Sequence, residues 1–219
     1  MAIGRPDPSP RRAARGVTTT GAGTVLDDGS GGTGTPVTAV KLLVAGGFGV
    51  GKTTMVGSIS EITPLRTEEL LTELSVGIDD LAGVERKTTT TVALDFGRIT
   101  LSRHLVLYLF GTPGQDRFWF MWNELSNGAL GAVVLADTRR LDTCFPSIDF
   151  FERRNIPFVI GVNRFDGSPG YTVEEVRHAL DVDAVVPILI CDVRRRESSK
   201  SLLLALTEHV IERSTVSMG

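Results

Sequence analysis

The stretch GGFGVGKTT, residues 46–54, decides the fold of this chain. It fits the pattern G-x-x-x-x-G-K-[ST], in which the backbone N–H groups of a glycine-rich loop surround phosphate groups. The apolar run AVKLLVA at residues 39–45 predicts a buried strand before the loop, and the residues from Lys52 onward predict a helix after it. In this setting Lys52 is expected to reach the β- and γ-phosphates, and the Thr53 hydroxyl to ligate Mg²⁺. We therefore predict a polyphosphate site formed by the whole stretch: Gly46, Gly47, Phe48, Gly49, Val50, Gly51, Lys52, Thr53 and Thr54.

Composition and charge limit the class of protein. The chain has 219 residues, of which 42% are hydrophobic and 22% charged, and its formal net charge is −3. These values suit one globular domain over residues 37–219 and give no support to nucleic-acid binding. Residues 1–36 are rich in Gly, Pro, Thr and Arg and are expected to form a disordered tail. With no C-x-x-C pair, signal peptide or membrane-length apolar run, we expect a cytoplasmic protein without direct membrane insertion.

Strand and helix patterns alternate through the rest of the chain. The expected strands are Val40–Ala45, Thr91–Ile99, Leu105–Phe110, Ala129–Ala136, Phe158–Val162 and Val185–Ile190. The expected helices are Lys52–Ser60, Asp142–Arg153, Val173–Leu180 and Ser199–Arg213. Several strands are nearly continuous apolar runs, which is typical of a parallel sheet covered by helices on both faces. The pattern predicts an α/β fold, with a long polar connection from about Glu61 to Thr90.

A second motif, residues 163–166, bears on the base of the nucleotide. The sequence Asn163-Arg164-Phe165-Asp166 follows an apolar strand and resembles the guanine signature N-K-x-D, with arginine in place of lysine. The Asp166 carboxylate can accept hydrogen bonds from N1–H and the 2-amino group of guanine, a donor pair that adenine lacks. Asn163 can bond the base and brace the loop, and the stem of Arg164 is expected to stack over the base. The Cys191-Asp192 pair follows the last strand, where related proteins hold the guanine carbonyl with backbone N–H groups; burial of a small side chain is an equal alternative for Cys191.

Residues 110–115, FGTPGQ, resemble the D-x-x-G-Q segment called switch II in Ras-like GTPases. The Gly114 N–H is expected to meet the γ-phosphate, and Gln115 to orient the attacking water. Gly111 stands where that segment carries an aspartate on the Mg²⁺ side, and Asp95 and Asp116 are the candidate replacements.

The segment TVALDF, residues 91–96, resembles the start of the second strand of small GTPases. In that comparison Thr91 is the switch I threonine, a second Mg²⁺ ligand beside Thr53, and acts with Lys52 and Gln115 in catalysis. The run of four threonines at 88–91 leaves the choice among them open, and an ordinary β-branched strand start is the alternative.

Together these motifs resemble the small GTPases of bacteria, in particular the conservon-type, MglA-related proteins of actinobacteria. The segments most specific to this family are FGTPGQDRF at 110–118 and ADTRRL at 136–141. The resemblance implies a Ras-like, three-layer P-loop NTPase fold with a six-stranded sheet of order 2-3-1-4-5-6, and binding of GTP/GDP with Mg²⁺. It further implies a roadblock-type partner, and it suggests a membrane-bound sensor kinase complex that would hold the protein at the membrane surface. The switch I arginine of the MglA branch has no counterpart in register here, so slow or partner-dependent hydrolysis is expected.

An apolar run, FWFMW at residues 118–122, follows directly and contains both tryptophans. Five consecutive apolar side chains cannot all face one core from a helix, so part of this run is expected to form a partner surface; burial against the chain's own linker is the alternative. Two further functions remain open at this level. One is a nucleotide-bound adaptor with little hydrolysis, and the other is a P-loop small-molecule kinase.

Overall fold

The structure, a computed structural model, describes residues 19–20, 23–26, 37–71, 90–114 and 119–216. The strands are β1 (Thr19–Thr20), β2 (Gly23–Leu26), β3 (Val37–Gly46), β4 (Leu65–Leu71), β5 (Thr90–Ser102), β6 (Leu105–Gly111), β7 (Ala129–Ala136), β8 (Phe158–Asn163) and β9 (Ile188–Cys191). The α-helices are α1 (Lys52–Ile59), α2 (Trp119–Ser126), α3 (Phe145–Arg153), α4 (Val173–Leu180) and α5 (Arg196–Val216).

The central sheet has the predicted strand order. The sequence β5-β6-β3-β7-β8-β9 corresponds to 2-3-1-4-5-6 of the expected strands, and β3, β6, β7, β8 and β9 run parallel. β5 is antiparallel to β6, and β4 extends that edge by pairing antiparallel with β5. Since parallel strands end at the same edge of a sheet, the loops after β3, β7, β8 and β9 lie together there.

Helices cover both faces of the sheet, and the alternation of side chains along β3 shows why. Leu42 and Val44 join the apolar cluster that contains α1 and α5, while Leu43 and Ala45 join the cluster that contains α3 and α4. A strand segment that is buried on both faces must be apolar at every position, as β3 is from Leu42 to Ala45. The three-layer α/β architecture is thereby confirmed.

Two segments contain strands where none was predicted. β4 lies inside the long polar connection 61–90, of which residues 72–89 are outside the described part of the chain. In the segment 1–36, expected to be disordered, β1 and β2 form a small ladder, and β2 pairs with β3 at 37–39. This pairing is available because β7 joins β3 only from Lys41 onward, which leaves the first residues of β3 open on that side. The rest of the tail lies outside the described residues.

Helix and strand ends differ from the predictions for local reasons. A 3₁₀ turn at Leu141–Cys144 precedes α3, whose first turn contains Pro146, a residue that suits the start of a helix. β9 begins at Ile188, not at Val185, because the Asp183 carboxylate and carbonyl bind the N–H groups of Val185 and Val186 in a turn. α5 is longer than expected, and α4 has its predicted bounds. No helix in the described ranges has the length and apolar character needed to cross a bilayer.

Candidate functional site

The loop after β3 connects directly to α1 and has the backbone shape of an anion-binding loop. Gly51, immediately before α1, has φ +108°, and a Cβ at that position would lie 2.8 Å from Asn163 Nδ2. Glycine is therefore required there by both conformation and space. No side chain caps the first turn of α1, so its N–H groups are not used by a neighbouring side chain. A helix N-terminus of this kind attracts phosphate oxygens.

Lys52 lies at the mouth of this loop. Its ammonium donates to the carbonyls of Gly46 and Gly47 at 2.9 and 2.7 Å. Burial lowers the pKa of Lys52 from 10.5 to about 8, and the Asp95 carboxylate partly opposes that shift. A Cβ on Gly114 would lie 2.5 Å from Lys52 Nζ, so the segment after β6 rests against the ammonium. The structure thus brings together two residues that were predicted to meet the γ-phosphate.

The Mg²⁺ side of the site contains an aspartate on a neighbouring strand. Thr53 Oγ1 donates to Asp95 Oδ2 at 2.5 Å, and the Asp95 side chain is buried. Asp95 on β5 pairs directly with Gly111 on β6, and a Cβ on Gly111 would lie 3.0 Å from Asp95 Cβ. The Asp95 carboxylate therefore occupies the space beside Gly111 where the family segment would place its own aspartate. Asp116, the other candidate, lies outside the described residues.

These groups suit a hard cation. The Thr53 hydroxyl and the Asp95 carboxylate supply oxygen ligands, which Mg²⁺ prefers, and the nearby buried Thr112 Oγ1 has no hydrogen-bond partner among the described residues. The described ranges hold no group of three or more His, Cys, Asp or Glu that could bind a metal alone. The backbone of Thr91 lies in β5; its side chain and Gln115 are outside the described part.

Asn163, at the end of β8, links the phosphate loop to the loop after β9. Its Nδ2 donates to the Val50 carbonyl at 3.0 Å, and its Oδ1 accepts from the Val193 N–H at 3.2 Å. The side chain is buried, so both bonds are sheltered from water. The bracing role predicted for Asn163 is what these contacts provide.

Asp166 presents its carboxylate to solvent beside this brace. Its side chain is 92% exposed and forms an ion pair with Arg194 Nη1 at 3.5 Å. This exposed, loosely paired carboxylate, three residues after the brace, is accessible to a nucleotide base. Arg164 is also exposed, and its N–H donates to the Cys191 carbonyl at 2.8 Å, which ties the two base-side loops together.

The Cys191–Asp192 pair does not have the geometry that we predicted. The Asp192 N–H, expected to face the guanine carbonyl, donates to Ser198 Oγ at 2.9 Å. The Asp192 carboxylate binds Arg194, and this contact lowers the pKa of Asp192. Cys191 is buried in the core, and burial raises its pKa to about 12. Cys191 is therefore a small packed core residue, as the alternative held. A hydrogen bond from the Asp192 N–H to a guanine carbonyl would require that N–H to leave Ser198 Oγ.

Sequence reasoning missed two arginines in the loop after β7. Arg139 binds Asp137 at 2.9 and 2.7 Å and lies over the Phe165 ring at 4.1 Å. Arg140 Nη2 donates to the Phe48 carbonyl of the phosphate loop at 3.1 Å. The segment ADTRRL, residues 136–141, is part of the family resemblance, but only the pairing of β7 with β3 shows that these arginines flank the phosphate loop.

The apolar run after switch II is divided between core and surface. Trp122 is 4% exposed, donates to the Pro113 carbonyl at 3.3 Å, and meets Phe150 edge-on. Phe120 is 58% exposed. Trp122 is therefore a core residue and not the partner contact that we hypothesised, whereas Phe120 keeps that possibility; the side chain of Trp119 is not described.

The loop, the brace and the sheet order define a nucleotide-binding P-loop protein with a G-domain-like fold. Comparison with known proteins agrees. The chain belongs to the family described as "Conserved hypothetical ATP binding protein", which matches residues 44–213. It is 33% identical over 129 residues to the uncharacterized protein MJ1339 of Methanocaldococcus jannaschii, covering 58% of this chain and 71% of that protein.

Solved structures with a similar fold include two G-domains. One is the FeoB G-domain from Methanococcus jannaschii, with a TM-score of 0.52 and 12% identity over 78% of this chain and 97% of that one. The other is the G-domain of the T. maritima FeoB iron transporter, with a TM-score of 0.54 and 16% identity over 78% and 98%. At such low identity these similarities establish the fold alone.

Proposed function

We propose that this protein is a guanine-nucleotide-binding switch that binds GTP and GDP with Mg²⁺ and hydrolyses GTP slowly. The observation that carries the proposal is Asn163, whose two buried hydrogen bonds connect the phosphate loop to the base-side loops. A brace of this kind would hold the loop that carries Asp166 in position relative to the phosphate loop, so that one ligand with a base and a phosphate chain could satisfy both ends.

The preference for guanine rests on Asp166. The family description names ATP, but a carboxylate facing the ring edge accepts two hydrogen bonds from guanine and finds no matching donor pair on adenine. Binding guanine would replace the weak ion pair to Arg194 by two hydrogen bonds to a charged acceptor. With adenine the Asp166 carboxylate would find no such donor pair, and this difference supports selection of guanine over adenine.

On the metal side, Thr53 and Asp95 would hold Mg²⁺ together with phosphate oxygens. The metal would supply charge neutralisation for the β- and γ-phosphates. Lys52 would exchange its two bonds to loop carbonyls for phosphate oxygens, and the negative charge of the phosphates would oppose the burial that lowers the pKa of Lys52 to about 8.

The switching element is the segment after β6. Gly114 rests against Lys52 and Gly47, at the place where a γ-phosphate would have to enter. GTP would move this segment and bind the Gly114 N–H, and loss of the γ-phosphate would release it. Gln115 follows directly and is the proposed positioner of the attacking water, with Thr91 as the switch I ligand.

A roadblock-type protein is the proposed partner, and a cytoplasmic location with peripheral attachment at a sensor kinase complex is part of the same proposal. Both follow from the family resemblance. The exposed Phe120, close to the switching segment, offers such a partner an apolar contact.

The test is a binding and turnover experiment on the purified full-length chain with Mg²⁺. Dissociation constants for GTP, GDP and ATP would be measured by calorimetry, and phosphate release followed for hours with and without a roadblock protein. The proposal expects GTP and GDP to bind at least about 100-fold more tightly than ATP. Tighter binding of ATP would refute the guanine assignment, and GTP binding without any phosphate release would favour the adaptor.

A further inference from the structure

The loop after β7, residues 137–144, lies against the phosphate loop. β7 is the neighbour of β3 in the sheet, and Leu135 pairs with Gly46, so both strands end side by side. A Cβ on Gly47 would lie 2.5 Å from Thr143 Oγ1, which shows how closely the two loops approach. This placement depends on sheet pairing and not on flexible surface contacts.

Arg140 extends from that loop over the phosphate loop. Its Nη2 donates to the Phe48 carbonyl at 3.1 Å and lies 3.6 Å from the position of a Cβ on Gly49. Arg140 and Lys52 are thus two cationic side chains that donate hydrogen bonds to carbonyls of this loop.

The guanidinium of Arg140 is only weakly held. Its side chain is 50% exposed, and its ion pair to Asp137 is long, at 3.8 Å. Asp137 is instead bound by Arg139 through two short hydrogen bonds. Arg140 therefore has several donors not engaged by short bonds, and it can change partner without stranding a buried carboxylate.

We infer that Arg140 is the catalytic arginine of this protein, supplied in cis, which contacts the β–γ bridging and γ-phosphate oxygens of GTP; this inference rests on the proposed GTPase function. To make this contact the guanidinium would leave the Phe48 carbonyl and cross the Phe48–Gly49 peptide, a distance of about one residue, to the side where the loop's N–H groups would meet phosphate. A planar fork of donors matches two phosphate oxygens.

The chemistry is hydrolysis of GTP to GDP and phosphate. A water oxygen forms a bond to the γ-phosphorus while the bond from that phosphorus to the β–γ bridging oxygen breaks. The electron pair stays on the bridging oxygen of GDP, and a proton of the water is released. Negative charge grows on the bridging oxygen in the transition state, and the guanidinium stabilises it. This role would fill the place of the switch I arginine, which has no counterpart in register before Thr91.

The experiment compares Arg140→Ala, Arg140→Lys and, as a matched control, Arg153→Ala, an exposed arginine on α3 that pairs with Asp149. Each full-length variant is assayed for GTP and GDP affinity, single-turnover hydrolysis, and capture of GDP with aluminium fluoride, a mimic of the transition state. We expect Arg140→Ala to slow hydrolysis about 10³-fold and to abolish aluminium fluoride capture, with both affinities within about threefold of wild type. Arg140→Lys should restore little, since lysine lacks the fork, and Arg153→Ala should behave as wild type.

Each other outcome overturns the inference. Unchanged hydrolysis in Arg140→Ala, or a loss of GTP affinity with unchanged turnover of bound GTP, would make Arg140 a structural clamp on Phe48. A wild-type protein that binds GTP but neither hydrolyses it nor captures aluminium fluoride would have no reaction for Arg140 to serve. Failure of the wild type to bind guanine nucleotides would instead refute the proposed function itself.

Discussion

Replacing Asp95 by asparagine tests whether this residue stands in for the aspartate missing at Gly111. The change keeps the size of a buried side chain and removes its charge. An amide oxygen can still accept from Thr53, so the hydrogen bond can be kept while the electrostatic attraction for a cation is lost. Loss of a group that orients a metal ligand typically weakens metal binding about 10–100-fold. We therefore expect Mg²⁺ affinity of the GDP complex to fall by that factor, equivalent to about 1.4–2.7 kcal/mol.

The assay is a calorimetric titration of Mg²⁺ into the GDP-bound protein, with thermal unfolding to verify the fold. Asp149→Asn is the matched control, since this exposed carboxylate lies on α3 and pairs with Arg153. A reciprocal exchange makes the test sharper. Gly111→Asp alone should crowd Asp95, because its Cβ would lie 3.0 Å from Asp95 Cβ, whereas Asp95→Gly combined with Gly111→Asp should regain most of the Mg²⁺ affinity. Affinity within twofold of wild type for Asp95→Asn would show that Asp95 has no part in metal binding.

Three further predictions concern the core and the loop. Trp122→Ala should lower the free energy of unfolding by about 3–5 kcal/mol in urea titrations, whereas Phe120→Ala should change it by less than about 0.5 kcal/mol; equal effects would contradict the burial difference. Because burial raises the pKa of Cys144 and Cys191 to about 12, both thiols should resist a disulfide reagent at pH 8 and react once the protein is denatured, and rapid labelling of the native protein would count against this packing. Lys52→Ala should abolish GTP binding without lowering the melting temperature, since burial disfavours its charge; retained affinity would argue against the loop as the phosphate site.

The sequence was sufficient to predict those parts of the candidate site that consist of residues adjacent in the chain. The phosphate loop and the position of Asn163 each follow from a motif placed after an apolar run, and the structure has them where they were predicted. The strand order followed from the resemblance to small GTPases, and the sheet has that order. The register between β5 and β6 could not be predicted from the sequence. Asp95 and Asp116 were equal candidates until the pairing of β5 with β6 placed Asp95 opposite Gly111.

Contacts between distant segments were the main omissions. Arg140 lies 92 residues from Phe48 in sequence, and only the adjacency of β7 and β3 brings them together. The sequence did not show which residues of the apolar run 118–122 face the core, and the contacts of Trp122 on α2 with Phe150 and Phe151 on α3 place that residue in the core. The Asp192 N–H appeared available until α5 was seen to begin early enough for Ser198 to bind it. Such contacts depend on packing between elements, which a single sequence does not specify.

The most direct test of the account exchanges the base specificity at Asp166. Xanthine differs from guanine in having a carbonyl oxygen where guanine has the 2-amino group, so an asparagine amide at position 166 would donate to xanthine where the carboxylate accepts from guanine. Dissociation constants of GDP, ADP and XDP would be measured for the wild type and for Asp166→Asn. The account predicts that the wild type prefers GDP over XDP and ADP, and that Asp166→Asn reverses the order of GDP and XDP. An unchanged order of the three affinities in the variant would contradict the assignment of Asp166 to the base, and with it the proposal of a guanine-nucleotide switch.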